Sequence, residues 1–218
     1  MNPQLEDLLS VLYDPHRLDH PPHVADLRKS GLSDATIELQ KITDVPPDII
    51  NKLLGFSAPK VRSAYLIPFP DPRGGWMDHV RMKVFPSMTT EKGTIKYLQP
   101  KHSGVRVYFP LATLDAVLHS DDPLYIIEGE KKALSVAQLG LPSIGICGVE
   151  GWHVAGSKDL HFDFDGVRLG GRPVHVVPDA DSQTNPDVAS AVHRLATALE
   201  HRGAAVEIAQ LPMETSHA

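Results

Sequence analysis

Three carboxylates stand at places where side chains do chemistry. Glu128 ends the apolar run LYIIE (124–128), and Asp179 and Asp181 form a D-A-D turn closing the apolar run PVHVVPD (173–179). An acid at the end of a buried strand is expensive to desolvate alone, so it calls for a partner. Hard oxygen ligands of this kind suit Mg²⁺ (or Mn²⁺), which takes a few carboxylates and completes its shell with water and phosphate oxygens. Such an ion serves phosphoryl transfer by neutralising phosphate charge and positioning the attacking oxygen. Asp187 is a further candidate ligand, and Asp181 or Asp187 could equally cap the helix that follows. Glu130 lies in the first motif, at a helix start where its side chain is expected to face solvent.

The elements that must carry these acids follow from periodicity. LYIIE, PSIGIC (142–147), PVHVVPD and AAVEIAQLP (204–212) read as strands. They alternate with GEKKALSVAQLG (129–140) and PDVASAVHRLATALEHRG (186–203), which read as helices, the second with Pro near its start and Gly past its end. Apolar strands alternating with helices predict a parallel sheet covered on both faces. Ligands of such sheets bind at the carboxyl ends of the strands, where Glu128, Asp179 and Asp181 would converge. Gly129 permits a sharp turn there. The loop GVEGWH (148–153) should reach the same edge, with Gly148 and Gly151 allowing close approach and Trp152 filling the core or stacking on a base. Lys131 and Lys132 could contact phosphate or simply face water. His175 and His193 are expected in packing or at the surface.

Upstream, residues 1–57 read as short helices: Leu5, Leu8, Leu9 and Leu12 recur at helical spacing, a Ser33 start signal follows, and Pro46-Pro47 opens DIINKLLGF. HRLDHPPH (16–23) holds three histidines, but its prolines prevent a helical ligand pair. Residues 58–120 change character. SAYLIPF, WMDHVRMKVF, TIKYLQ and VRVYF are short β-branched or aromatic runs with turn signals between them, predicting a small antiparallel sheet. Between Ala58 and Tyr108, Lys60, Arg62, Arg73, Arg81, Lys83, Lys92, Lys96, Lys101 and Arg106 face only Asp71, Asp78 and Glu91. A basic block within a chain of net charge −6 is a candidate phosphate-facing surface, or a solvated sheet face. Residues 121–214 form the third part. The 218-residue chain has no apolar run long enough to span a membrane and no signal-like start, and its one cysteine, Cys147, excludes an internal disulfide. A cytoplasmic location is expected.

Glu128-Gly129 after the first strand and Asp179-Ala180-Asp181 after a later one resemble the markers of the TOPRIM domain, shared by DnaG-type primases, topoisomerases and some nucleases. IPFPDPRGG (67–75), HVRMKVF (79–85), IKYLQP (95–100) and VYFPL (107–111) follow the order of the small subdomain preceding TOPRIM in DnaG-type primases. Residues 60–212 are most similar to divergent primase-like TOPRIM proteins of phages and mobile elements. The resemblance implies an α/β, Rossmann-like TOPRIM domain behind a β-rich subdomain and N-terminal helices. It implies Mg²⁺ on Glu128, Asp179 and Asp181, with Glu128 also a general acid/base, and primer synthesis on single-stranded DNA from nucleoside triphosphates. Arg81, Lys83, Lys96, Tyr97, Lys131 and Lys132 become candidates to hold template or triphosphate. The chain departs from that pattern in three ways. Lys132 stands where an acid is usual, SQTNPD follows Asp-x-Asp, and no zinc ribbon or helicase segment occurs, so a separate helicase or template-recognition subunit is expected. Two alternatives use the same residues: a TOPRIM nuclease, and a non-catalytic nucleic-acid-binding module of a replication or defence complex.

Overall fold

The computed structural model describes residues 7–10, 12, 17–91 and 93–210. Leu5, His16 and Lys92 lie outside them, as does the side chain of Asp181. The chain divides into two compact units between Gly104 and Val105.

The first unit holds α1 (Pro21–Lys29), α2 (Asp34–Leu39), β1 (Thr43–Val45), α3 (Pro47–Leu54), β2 (Ser63–Pro70), β3 (Trp76–Thr90) and β4 (Gly93–Leu98). Its strands form one antiparallel sheet in the order β1-β2-β3-β4. Ser33 caps α2 by accepting the Thr36 N–H at 3.2 Å. In α3, Ile50, Leu53 and Leu54 recur at helical spacing and are buried. They share a core with Ala64, Leu66, Val80, Met82 and Val84 on alternate positions of β2 and β3.

The alternation leaves Tyr65, Lys83 and Tyr97 in register on the other face. There His23 of α1 is 1% exposed, with Nδ1 2.6 Å from Asp44 Oδ1 and Nε2 3.0 Å from Ser63 Oγ. Burial lowers its pKa. The histidine run thus contributes a buried polar staple joining α1, β1 and β2, because Asp44 also accepts the backbone N–H groups of Asp19 and His20.

The second unit holds α4 (Leu114–His119), β5 (Leu124–Glu128), α5 (Glu130–Ala137), β6 (Ser143–Ile146), β7 (Pro173–Val177), α6 (Pro186–His201) and β8 (Ala205–Ile208). The sheet is parallel throughout, in the order β6-β5-β7-β8. Its central strands β5 and β7 carry Leu124, Ile126, Ile127, Val174 and Val176, all buried. Ala191, Val192, Leu195, Ala198 and Leu199 make the buried stripe of α6. The expected α/β architecture, a parallel sheet after an antiparallel one, is therefore observed.

VRVYF (105–109) is the exception among the expected strands. It makes a single bridge, Tyr108 to Gly145 of β6, with N–H to O distances of 2.8 Å both ways. The next bonded position on one side is Pro110, which has no N–H to give, and the Val107 N–H, on the side away from β6, donates to the Asp163 carboxylate at 2.9 Å. No helix among the described residues is long and apolar enough to cross a membrane.

Candidate functional site

Parallel pairing puts Glu128 opposite Ile146 and Ile127 opposite Val177. Glu128 therefore ends β5 beside the end of β7, where Pro178 and Asp179 lead into a 3-10 turn at Ala180–Gln183. The chain leaves β5 through Gly129, whose φ of 98° and ψ of 141° suit glycine and would strain a side chain. Its N–H donates to Ile146 O at 2.8 Å, and α5 starts at the next residue with no side-chain cap. Uncapped N–H groups at a helix start favour an anion. Glu128 is half-buried and borders a cavity of about 10 Å³ whose other walls include Ile126, Ile146, Val176 and Val192.

Lys132 changes the picture drawn from the sequence. One turn into α5, its ammonium contacts Asp179 Oδ1. Both side chains are partly exposed, 55% and 40%, so the carboxylate still faces water on one side. The structure thus brings Lys132 and Asp179 together at the strand end next to Glu128. Asp181 belongs to the 3-10 turn that follows Asp179. Among the described residues no group of three or more His, Cys, Asp or Glu is placed to hold a metal ion, and the Asp181 side chain is outside that set. Asp187 is exposed in the first turn of α6. The cap of α6 is neither Asp181 nor Asp187: Asn185 Oδ1 accepts the Asp187 N–H at 3.1 Å.

Glu130 corrects the sequence reading. It is 2% exposed, not solvent-facing, and its Oε1 accepts from the Cys147 thiol at 3.1 Å. As the first residue of α5 it lies on the buried side of the helix, which explains why a lone cysteine ends up beside it. Lys131 is half-buried in the same turn.

The loop after β6 reaches the same sheet edge, as its position predicts. The Gly151 N–H donates to Gly148 O at 2.8 Å, closing a tight turn. Trp152 is 2% exposed and so serves the core. A Cβ on Gly151 would sit 2.6 Å from Cys147 N and O, whereas one on Gly148 would meet nothing within 4 Å. Gly151→Ala is therefore expected to destabilise the protein by about 1–3 kcal/mol, through displacement of backbone. Urea denaturation beside Gly170→Ala, where a Cβ meets nothing within 4 Å and the backbone is not left-handed, checks this. Equal stability of Gly151→Ala and wild type would contradict the packing argument.

In the first unit, Arg81 and Lys83 of β3 meet Tyr97 of β4. The Arg81 guanidinium lies 4.8 Å from the Tyr97 ring centroid and Lys83 Nζ 4.9 Å from it. Lys83 is 9% exposed, with Nζ 3.8 Å from Asp26 Oδ1, and the Tyr65 hydroxyl donates to Asp26 Oδ2 at 2.7 Å. Burial pushes the Tyr65 pKa up, so the hydroxyl stays protonated as a donor. Lys96 precedes Tyr97 on the strand, so alternation sends it to the other face, where it is exposed. Arg106, counted in the basic block, instead turns inward. It grips Asp163 through Nε and an NH2 nitrogen at 2.9 and 2.7 Å. No spacing in the sequence links these residues.

Several known proteins share features of this chain. A family model described as a domain of unknown function, DUF3854, matches residues 115–217. No functionally curated protein matches the sequence. A DnaG primase catalytic domain bound to ssDNA is similar at TM-score 0.62 and 22% identity, over 97% of this chain and 74% of that one. The E. coli primase catalytic core gives 0.61 and 23%, over 97% and 72%. The Aquifex aeolicus primase, with its zinc-binding and RNA polymerase domains, gives 0.66 and 14%, over 97% and 55%. The chain has the fold of a primase catalytic core. Within that primase-like fold, the parallel sheet carries Glu128 at the end of β5, with Asp179 two residues past β7, and the antiparallel sheet carries Arg81, Lys83 and Tyr97.

Proposed function

We propose that this chain is a TOPRIM-type, primase-like nucleotidyltransferase that makes primers on single-stranded DNA. One observation carries the reading: two carboxylates, Glu128 and Asp179, at adjacent carboxyl ends of a parallel sheet in a primase-like fold. Their chemistry fits a divalent cation. Both offer hard oxygen ligands, Asp179 is partly open to water, and the apolar cavity beside Glu128 favours a charged partner for it. Glu128, Asp179 and Asp181 would hold Mg²⁺ or Mn²⁺, with Asp187 adding negative charge nearby. The ion, when bound, supplies charge neutralisation on the triphosphate and activation of the attacking hydroxyl.

The chain's own residues do the rest. Glu128 accepts the proton of the attacking hydroxyl. The N–H groups at the start of α5, with Lys131, hold phosphate oxygens. Arg81 and Tyr97 present a cation and a π-face to template strand or nucleoside triphosphate, with Lys96 adding charge from the opposite face. Lys83, buried against Asp26, fixes the Tyr97 ring. By function the chain divides into a helical segment (1–57), a basic β-rich subdomain (58–120) and the TOPRIM part (121–214). Its biological setting is phage or mobile-element replication, in the cytoplasm, beside a separate helicase or template-recognition subunit.

The test is a synthesis assay with single-stranded DNA, labelled ribonucleoside triphosphates and Mg²⁺. New oligonucleotides that vanish with EDTA are expected. Shortened DNA instead would make the chain a nuclease. Neither product, beside an active known primase, would favour the second reading, a non-catalytic nucleic-acid-binding module, to which the Lys132–Asp179 contact lends its weight.

A further inference from the structure

We infer that Lys132 is a built-in cation of the carboxylate site, taking the place of a second metal ion so that the site holds one divalent ion. The inference rests on the metal site proposed above and deepens it. Side chains on a helix lean toward its N-terminus, so a lysine one turn into α5 returns to the sheet edge from which the helix departs. Its ammonium contacts Asp179 Oδ1, across to the neighbouring strand end.

Charge and ligand number then decide the occupancy. The three proposed ligands Glu128, Asp179 and Asp181 carry three negative charges, and Lys132 leaves an excess of two among them, exposed Asp187 being screened by water. One divalent ion balances that excess; a second would create a cluster of uncompensated positive charge. The ammonium also competes for the Asp179 oxygens that a second ion would have to share. Two-metal phosphoryl-transfer sites need such shared carboxylates to keep their ions about 4 Å apart. The Lys132 ammonium, held at Asp179, would supply the second positive centre for the phosphate oxygens. Its three N–H donors leave two for a phosphate after Asp179 has taken one.

The bland alternative is an ordinary surface ion pair, whose partners associate without consequence for the metal. Counting ions separates the two. Mn²⁺ titration of the full chain is followed by calorimetry and by the loss of the free-ion electron paramagnetic signal, with no substrate present. One Mn²⁺ per wild-type chain is expected, and none in that site for Glu128→Gln. Lys132→Asp, which restores an acid, is expected to bind two. Lys132→Met, which keeps the length and removes the charge, is expected to bind one Mn²⁺ roughly tenfold more tightly, the repulsion having gone.

Two ions bound to wild type, or one ion bound to Lys132→Asp with melting unchanged, would overturn the inference while leaving the metal site intact. No bound ion in wild type, or an ion that survives Glu128→Gln, would overturn the metal site and this inference with it.

Discussion

Glu128→Gln is expected to lower kcat/KM for primer synthesis by about 10³-fold, the scale on which a charged group at a phosphoryl-transfer centre acts. The substitution keeps size and hydrogen-bonding capacity and removes one negative charge. Folding is therefore expected to be little affected, because Gln keeps the shape of a half-buried side chain beside Ile126, Ile146 and Val176. The two readouts move independently, which separates a site residue from a structural one. Asp179→Asn should act in the same direction and also release Lys132 from its partner. Retained synthesis by Glu128→Gln, at wild-type melting temperature, would mean that these acids do not carry the reaction and would favour the binding-module reading.

Asp163→Ala is expected to cost about 3–5 kcal/mol of stability, because removing one partner of a buried pair strands the other. The Asp163 side chain is 3% exposed and that of Arg106 17%. The carboxylate accepts from the Arg106 guanidinium and from the Val107 N–H at 2.9 Å, so its loss orphans a charge and a backbone donor together. His161 completes the cluster. Burial lowers its pKa, and its Nδ1 accepts the Asp163 N–H at 3.1 Å. Replacing both ends at once, Arg106→Met with Asp163→Leu, should be milder than Asp163→Ala alone, since no charge is left unpaired and only the Val107 N–H stays orphaned. Chemical denaturation of the single and double variants measures the difference. A loss below about 1 kcal/mol for Asp163→Ala would mean that the pair behaves as a surface one.

The elements that position the site were legible because burial leaves a periodic trace. LYIIE is an apolar run that ends on its acid, and PVHVVPD is one broken only by half-buried His175 before it reaches Asp179. The helix boundaries followed from Pro186 and from Gly140 and Gly203, whose φ values are positive. What periodicity could not supply was the partner of a polar side chain. Lys132 and Asp179 are 47 residues apart, and Arg106 and Asp163 are 57 apart. Arg106 counts as basic in any composition window, yet it is spent on an internal carboxylate. Glu130 looked solvent-facing by residue type, but as the first residue of α5 it is buried beside Cys147. VRVYF had strand composition, yet Pro110 offers no N–H to continue the ladder and the Val107 N–H, facing away from β6, is taken by Asp163. Side-chain capture of backbone donors is decided in three dimensions and leaves no pattern along the chain.

Diffraction at the manganese absorption edge, from crystals of the chain soaked with Mn²⁺ and a nucleoside triphosphate, tests the central claim most directly. An anomalous peak is expected at the carboxyl edge of the parallel sheet, coordinated by Glu128 and Asp179. Nucleotide density with no manganese peak between those two carboxylates would contradict it.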